Sequence, residues 1–129
     1  MSSNLKQFNS TFKEFLTNLI TIFPQTQTSI LNHYRPLLED GEFDPVYYCK
    51  DFVSRAPEYK TDIADKNEEM FHHSICLFPG IDFELIWNSD FNTPKTKKSI
   101  WIYLNLFTSL GSRIMLEEAI KQKKYENLS

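Results

Sequence analysis

The stretch from Pro94 to about Lys123 constrains this chain more than any other. Asn92-Thr93-Pro94 offers a capping side chain followed by a first-turn proline. Ile100, Leu104, Phe107, Gly111, Ile114 and Met115 then recur at helical spacing. Trp101, Tyr103, Leu106 and Leu110 make the middle apolar on nearly every side. A helix of that kind belongs at the centre of a bundle. Ser99 to Phe107 also alternates as a buried strand would, with β-branched and aromatic residues. Length, and the lack of hairpin signals that would supply a partner strand, decide for helix. The most apolar run, Ile100 to Leu110, falls well short of the roughly 18–20 residues of a membrane span.

The rest of the chain reads the same way. Leu5, Phe8, Phe12, Leu16, Leu19, Ile20 and Phe23 form one stripe of an amphipathic helix, which Pro24 ends by pushing its predecessor out of helical geometry. Thr26 or Thr28 is the expected cap of a second helix, with Ile30, Leu31 and Tyr34 inward. Pro36 ends or kinks it, and Asp40-Gly41 marks the turn out. Asp44-Pro45 opens a third helix that buries Tyr48, Phe52 and Cys49 and stops before Pro57. A fourth is expected from about Asp62 or Asp65, with Ile63, Met70, Phe71 and Ile75 inward. It ends at Leu77-Phe78-Pro79-Gly80. Ile81 to Trp87 makes one or two further turns.

At 129 residues the chain supports one core, so a single helical domain over 1–129 is expected. Three Gly against six Pro disfavour a turn-rich sandwich or barrel. The predicted fold is therefore all-α, a single compact bundle of five or six helices with the hydrophobic helix at about 94–123 in its centre.

The net charge of −3 argues against a dedicated nucleic-acid binder. Charge is nevertheless divided along the chain. Residues 39–69 hold ten acids and four bases, whereas 94–124 hold seven bases and two acids. Cys49 and Cys76 show no metal-type or redox-type spacing. The opening MSSNLKQFNS lacks a cationic end followed by an apolar run, so the chain is not expected to be secreted, and the glycosylation triplet Asn9-Ser10-Thr11 is then without meaning.

One segment carries metal-type chemistry on paper. On a continuous helix, Glu68 would face His72, Glu69 would face His73 and His72 would face Cys76. The two histidines are adjacent rather than four apart, so they would point about 100° from one another. No serine-nucleophile elbow occurs, and Gly41, Gly80 and Gly111 stand alone, so no phosphate loop is present. Lys95, Lys97 and Lys98 crowd the start of the last helix, where the dipole repels cations. They are candidate contacts for an anion or an acidic partner.

Two stretches carry a resemblance. Phe78-Pro79-Gly80-Ile81-Asp82-Phe83 leads into Leu85-Ile86-Trp87, and Thr96-Lys97-Lys98-Ser99-Ile100-Trp101-Ile102-Tyr103-Leu104 follows about ten residues later. Together they resemble small uncharacterised proteins of giant nucleocytoplasmic large DNA viruses, which share an FPGIDF..LW and a TK..IW.YL pattern. Phe12-Lys13-Glu14-Phe15-Leu16 and Phe23-Pro24 are similar to the first helix of the same proteins. The resemblance covers about 1–24 and 78–110, and Asn105 stands where the pattern has Gln. It implies a viral origin and a setting in host cytoplasm or virion, and it transfers no catalytic residue.

The leading functional expectation is a non-enzymatic helical module acting through protein–protein contact, as a minor virion component or a host-interaction factor. A homo-oligomer is open, and neither a cofactor nor a membrane is expected. Two other readings are a nucleic-acid-associated factor using Lys95, Lys97, Lys98 and the lysine tail, and a small metal-dependent hydrolase centred on His72, His73 and Cys76.

Overall fold

Prolines, capping side chains and one left-handed lysine set the element boundaries in the computed structural model, which describes residues 2–128. Met1 and Ser129, the ends of the expected domain, lie outside the described residues. Helix α1 spans Ser3–Ile22, with the Ser2 hydroxyl accepting from the Leu5 N–H at 3.1 Å. Its buried face is Leu5, Phe8, Phe12, Leu16 and Leu19 of the expected stripe with Asn9 and Phe15 added, while Ile20 is only partly buried and Phe23 is buried just past the helix end. A 3-10 turn at Pro24–Thr26 leads into α2, Gln27–Arg35. Of the two expected caps of α2, Thr28 lies inside the helix, and Thr26 holds the N-cap position without a side-chain bond to the helix. The Thr26 hydroxyl donates back to the Phe23 carbonyl at 2.7 Å, because the 3-10 turn already feeds the helix. Pro36 ends α2, a π-type turn covers Pro36–Asp40, and Gly41 closes it at φ 71°.

Helix α3 runs Tyr47–Arg55, and Asp44 holds the preceding turn by accepting from Val46 N–H at 3.1 Å. A 3-10 turn over Ala56–Tyr59 passes into α4, Lys60–Asp65. Here the structure departs from expectation. The fourth helix does not run on to Ile75, since Lys66 turns left-handed (φ 53°) and ends it. Asn67 then caps a 3-10 turn at Glu68–His72, accepting from Glu69 N–H at 3.2 Å, and His73 is extended. The tighter turn buries Met70 and Phe71 together while the chain changes direction. Helix α5, Phe83–Trp87, is a single turn capped by Asp82, which accepts from Leu85 N–H at 3.1 Å. Helix α6 spans Pro94–Leu128, capped by the Thr93 hydroxyl at 3.2 Å from Thr96 N–H. It runs five residues beyond the expected end. Among the described residues there is no strand.

Helices α1 and α6 lie antiparallel. Asn4 donates to Glu117 at 2.6 Å, and the Phe15 and Tyr103 rings meet at 5.0 Å farther along. Phe107 packs between them, 5.3 Å from Phe8. Phe78 is sandwiched between Phe12 at 4.8 Å and Phe52 at 4.9 Å, so it joins α1 to α3. A second aromatic group places Phe71 4.4 Å from Trp87 and 5.0 Å from Trp101. Trp101 is 6% exposed, as its position in the apolar run predicts. Gly111 lets α3 come close, since a Cβ there would lie 2.9 Å from Cγ2 of Val53. Helix α6 thus rests on α1, α3 and α4. Its apolar circumference is not wholly enclosed, because Ile102 is 57% exposed on the outward side.

The turn at Phe78-Pro79-Gly80 is fastened to α2. Ser29 donates to the Gly80 carbonyl at 2.7 Å, and the Tyr34 hydroxyl donates to that of Pro79 at 2.5 Å. Folding accounts for much of the stretch Phe78 to Phe83: Phe78 fills the core, Pro79 and Gly80 dock on α2, and Asp82 caps α5.

Candidate interaction surface

The three lysines at the start of α6 do not form one patch. Residues at i and i+2 diverge by about 200° on a helix, and the side chains follow. Lys97 folds over the Trp87 ring, its Nζ 5.3 Å from the centroid, a cation–π contact that occupies one charge. Lys95 borders a cleft between α1 and α6, and Lys98 is exposed on the outer side.

That cleft encloses about 300 Å³ and is walled by Phe15, Leu19, Ile22 and Ile100. At its polar edge the Tyr103 hydroxyl donates to Glu14 at 3.0 Å and accepts from the Asn18 amide at 2.9 Å. Burial, and then the bond to Glu14, hold the Tyr103 phenol above its ordinary range. Its hydroxyl is therefore occupied in linking the two helices.

The His72–His73–Cys76 arrangement fails for a geometric reason. Its premise was one continuous helix, and the chain there is a 3-10 turn that becomes extended at His73. Glu68 does not face His72. It accepts from the Trp87 indole N–H at 3.1 Å. Cys76 lies 3.2 Å from a guanidinium nitrogen of Arg55, which Asp51 also holds. Among the described residues, no group of three or more His, Cys, Asp or Glu side chains is gathered to hold a metal ion. Cys49 is buried, and desolvation, followed by Glu118, pushes its thiol up to about 11. Asn9 of the glycosylation triplet is also buried, its amide donating to the Pro45 carbonyl at 2.8 Å.

The surface feature that stands out is a ridge on α6. Ile102, Leu116 and Ile120 are exposed by 57%, 63% and 52%. With half-buried Leu106 and exposed Ser109 and Arg113, they follow one another at steps of four, three, four, three and four. Such spacing brings residues back to one line along a helix, the pattern of a coiled-coil seam. From Ala119 to Asn127 every side chain is exposed. The sequence reading assigned the apolar surplus of α6 to the core and missed this line. The 4-3-4 spacing was the signal that would have found it.

No helix among the described residues is long and apolar enough to cross a membrane. Comparison with protein-family models, with curated proteins and with solved structures yields no match.

Proposed function

We propose that this chain is a helical module that works by binding other protein, with the outward line of α6 as its contact surface. The observation that carries the reading is the exposure of Ile102, Leu116 and Ile120 on one straight ridge. Aligned apolar side chains left in water favour association, because covering them removes apolar area at about 25 cal/mol per Å². The uneven charge supports the same reading, since an acidic stretch and a basic helix on one molecule orient an approaching partner. With the resemblance to giant-virus proteins, the setting is a minor virion component or a factor engaging a host protein.

The test compares the native chain with Ile102→Lys and Leu116→Lys variants in size-exclusion chromatography with mass spectrometry of co-purifying partners. A partner kept by the native chain and lost by both variants supports the reading. Capture that both variants leave unchanged, or a strict monomer that captures nothing, overturns it.

A further inference from the structure

The seam on α6 reads the same in both directions. Ile102 and Ile120 lie nine residues either side of Gly111, Leu106 and Leu116 lie five either side, and Ser109 and Arg113 two. Resting on the reading of α6 as a contact surface, we infer that its partner is a second copy of this chain, paired α6 to α6 in antiparallel fashion about a two-fold axis level with Gly111.

In that register Ile102 of each copy meets Ile120 of the other, Leu106 meets Leu116, and Arg113 meets Ser109. A two-fold contact must be self-complementary, and this pattern meets that demand at every seam position from 102 to 120. A parallel pairing would set Arg113 against Arg113 and one lysine tail against the other. The antiparallel one sets Arg113 opposite Ser109 and brings Lys121 and Lys123 level with Trp101 and Ser99 of the second copy's α6, leaving Lys124 beside Lys98 as the one approach of like charges. The first half of α6 is flanked by acidic elements. Asn105 donates to the Ile63 carbonyl of α4 at 3.1 Å, and Trp101 touches Phe71 of the 3-10 turn. These neighbours carry exposed Asp65, Glu68 and Glu69. The narrowness of the line also separates a helical partner from a lipid surface. A seam needs two positions in seven, whereas a helix lying in a membrane interface exposes a broad apolar face. Here the seam is interrupted at its middle by Ser109 and Arg113.

The seam from 102 to 120 is ~27 Å long. At one helix width of ~10–12 Å it covers roughly 300 Å² on each copy, well under half of the ~800 Å² of a standard interface. The pair is accordingly a reversible, concentration-dependent dimer.

Two measurements on the full chain decide the matter. In sedimentation velocity the mass should rise from 15.3 kDa toward twice that value as concentration increases, and Leu116→Lys should abolish the rise without moving the melting temperature. In a Cys76→Ser background, an Ile102→Cys protein mixed with an Ile120→Cys protein and oxidised with diamide should form a disulfide-linked dimer, while neither alone should. A monomer at every concentration overturns the inference. So does linkage within the Ile102→Cys protein alone, which reports parallel pairing, or a monomer that co-sediments with phosphatidylserine vesicles. If the chain stays monomeric yet loses a different protein partner on Leu116→Lys, the dimer falls and the contact-surface reading stands. If Leu116→Lys alters neither self-association nor capture, both fall.

Discussion

The imidazole of His33 lies directly over Gly80, so close that a Cβ built on Gly80 would sit 2.7 Å from the ring Cγ. Gly80 also adopts φ 82°, a conformation that side chains disfavour. Two independent constraints, one torsional and one steric, thus require glycine at the point where the FPG turn meets α2.

Gly41 separates the two constraints, having φ 71° with open space around it. Gly41→Ala should therefore cost only the backbone penalty, about 1 kcal/mol. Gly80→Ala adds overpacking and should cost roughly 2–4 kcal/mol. Adding His33→Ala to Gly80→Ala should recover the steric part, so a denaturant-melt double-mutant cycle should show coupling between the two sites and none between His33 and Gly41.

Thiol chemistry should separate the two cysteines. Cys76 is exposed, while Cys49 is buried with its thiol pushed up to about 11. Since the thiolate is the reactive form, one thiol should react promptly with Ellman's reagent at pH 8 in the folded protein and two after denaturation. Cys76→Ser should leave the native protein essentially unreactive.

Stability should fall at alkaline pH. Burial holds the Tyr34 phenol well above its ordinary range, with Asp51 adding to it, and burial likewise raises Tyr48 and Cys49. Groups whose folded pKa is raised keep protons that the unfolded chain releases, so the unfolded state binds fewer protons and stability declines as pH rises. The decline should begin near the unfolded thiol value, about 8.5, and steepen through the unfolded tyrosine value, about 10. Melting temperature measured from pH 7 to 11 should follow this course, and Tyr34→Phe should flatten it while losing the bond to Pro79, about 1 kcal/mol at neutral pH. A flat profile to pH 11 would contradict the assignment.

The two sides of α6 should respond differently to substitution. Phe107 is fully buried against Phe8, Phe12 and Phe78, so Phe107→Ala should cost ~3–5 kcal/mol. Ile102→Lys changes an outward side chain and should stay within about 0.5 kcal/mol of the native chain in a denaturant melt. Equal losses at the two positions would mean that the ridge is buried.

The helices with long, regular spacing were legible from sequence, and α1 and α6 lie close to where Phe8-Phe12-Leu16 and Thr93-Pro94 predict them, while the short turns expected over Ile81 to Trp87 form α5. The segment from Lys66 to Cys76 was not. Its residues fit a helical period, yet Lys66 turns left-handed, and Asn67 and the burial of Met70 and Phe71 favour a tighter turn. The local preference for one more helical turn is a fraction of a kcal/mol per residue, less than burial of a single aromatic ring supplies. That difference also dismantled the His72–Cys76 arrangement, which existed only as helical spacing.

Sequence alone determined that this chain coils into helices and where most of them begin and stop, because periodicity, caps and prolines act over a few residues. Tertiary structure alone decided which apolar side of α6 would be covered. Spacing says which side chains share a line, but Phe107 and Ile102 both lie on apolar lines. Only the placement of α1, α3 and α4, fixed by contacts between residues far apart in the chain, buries the first and leaves the second facing water.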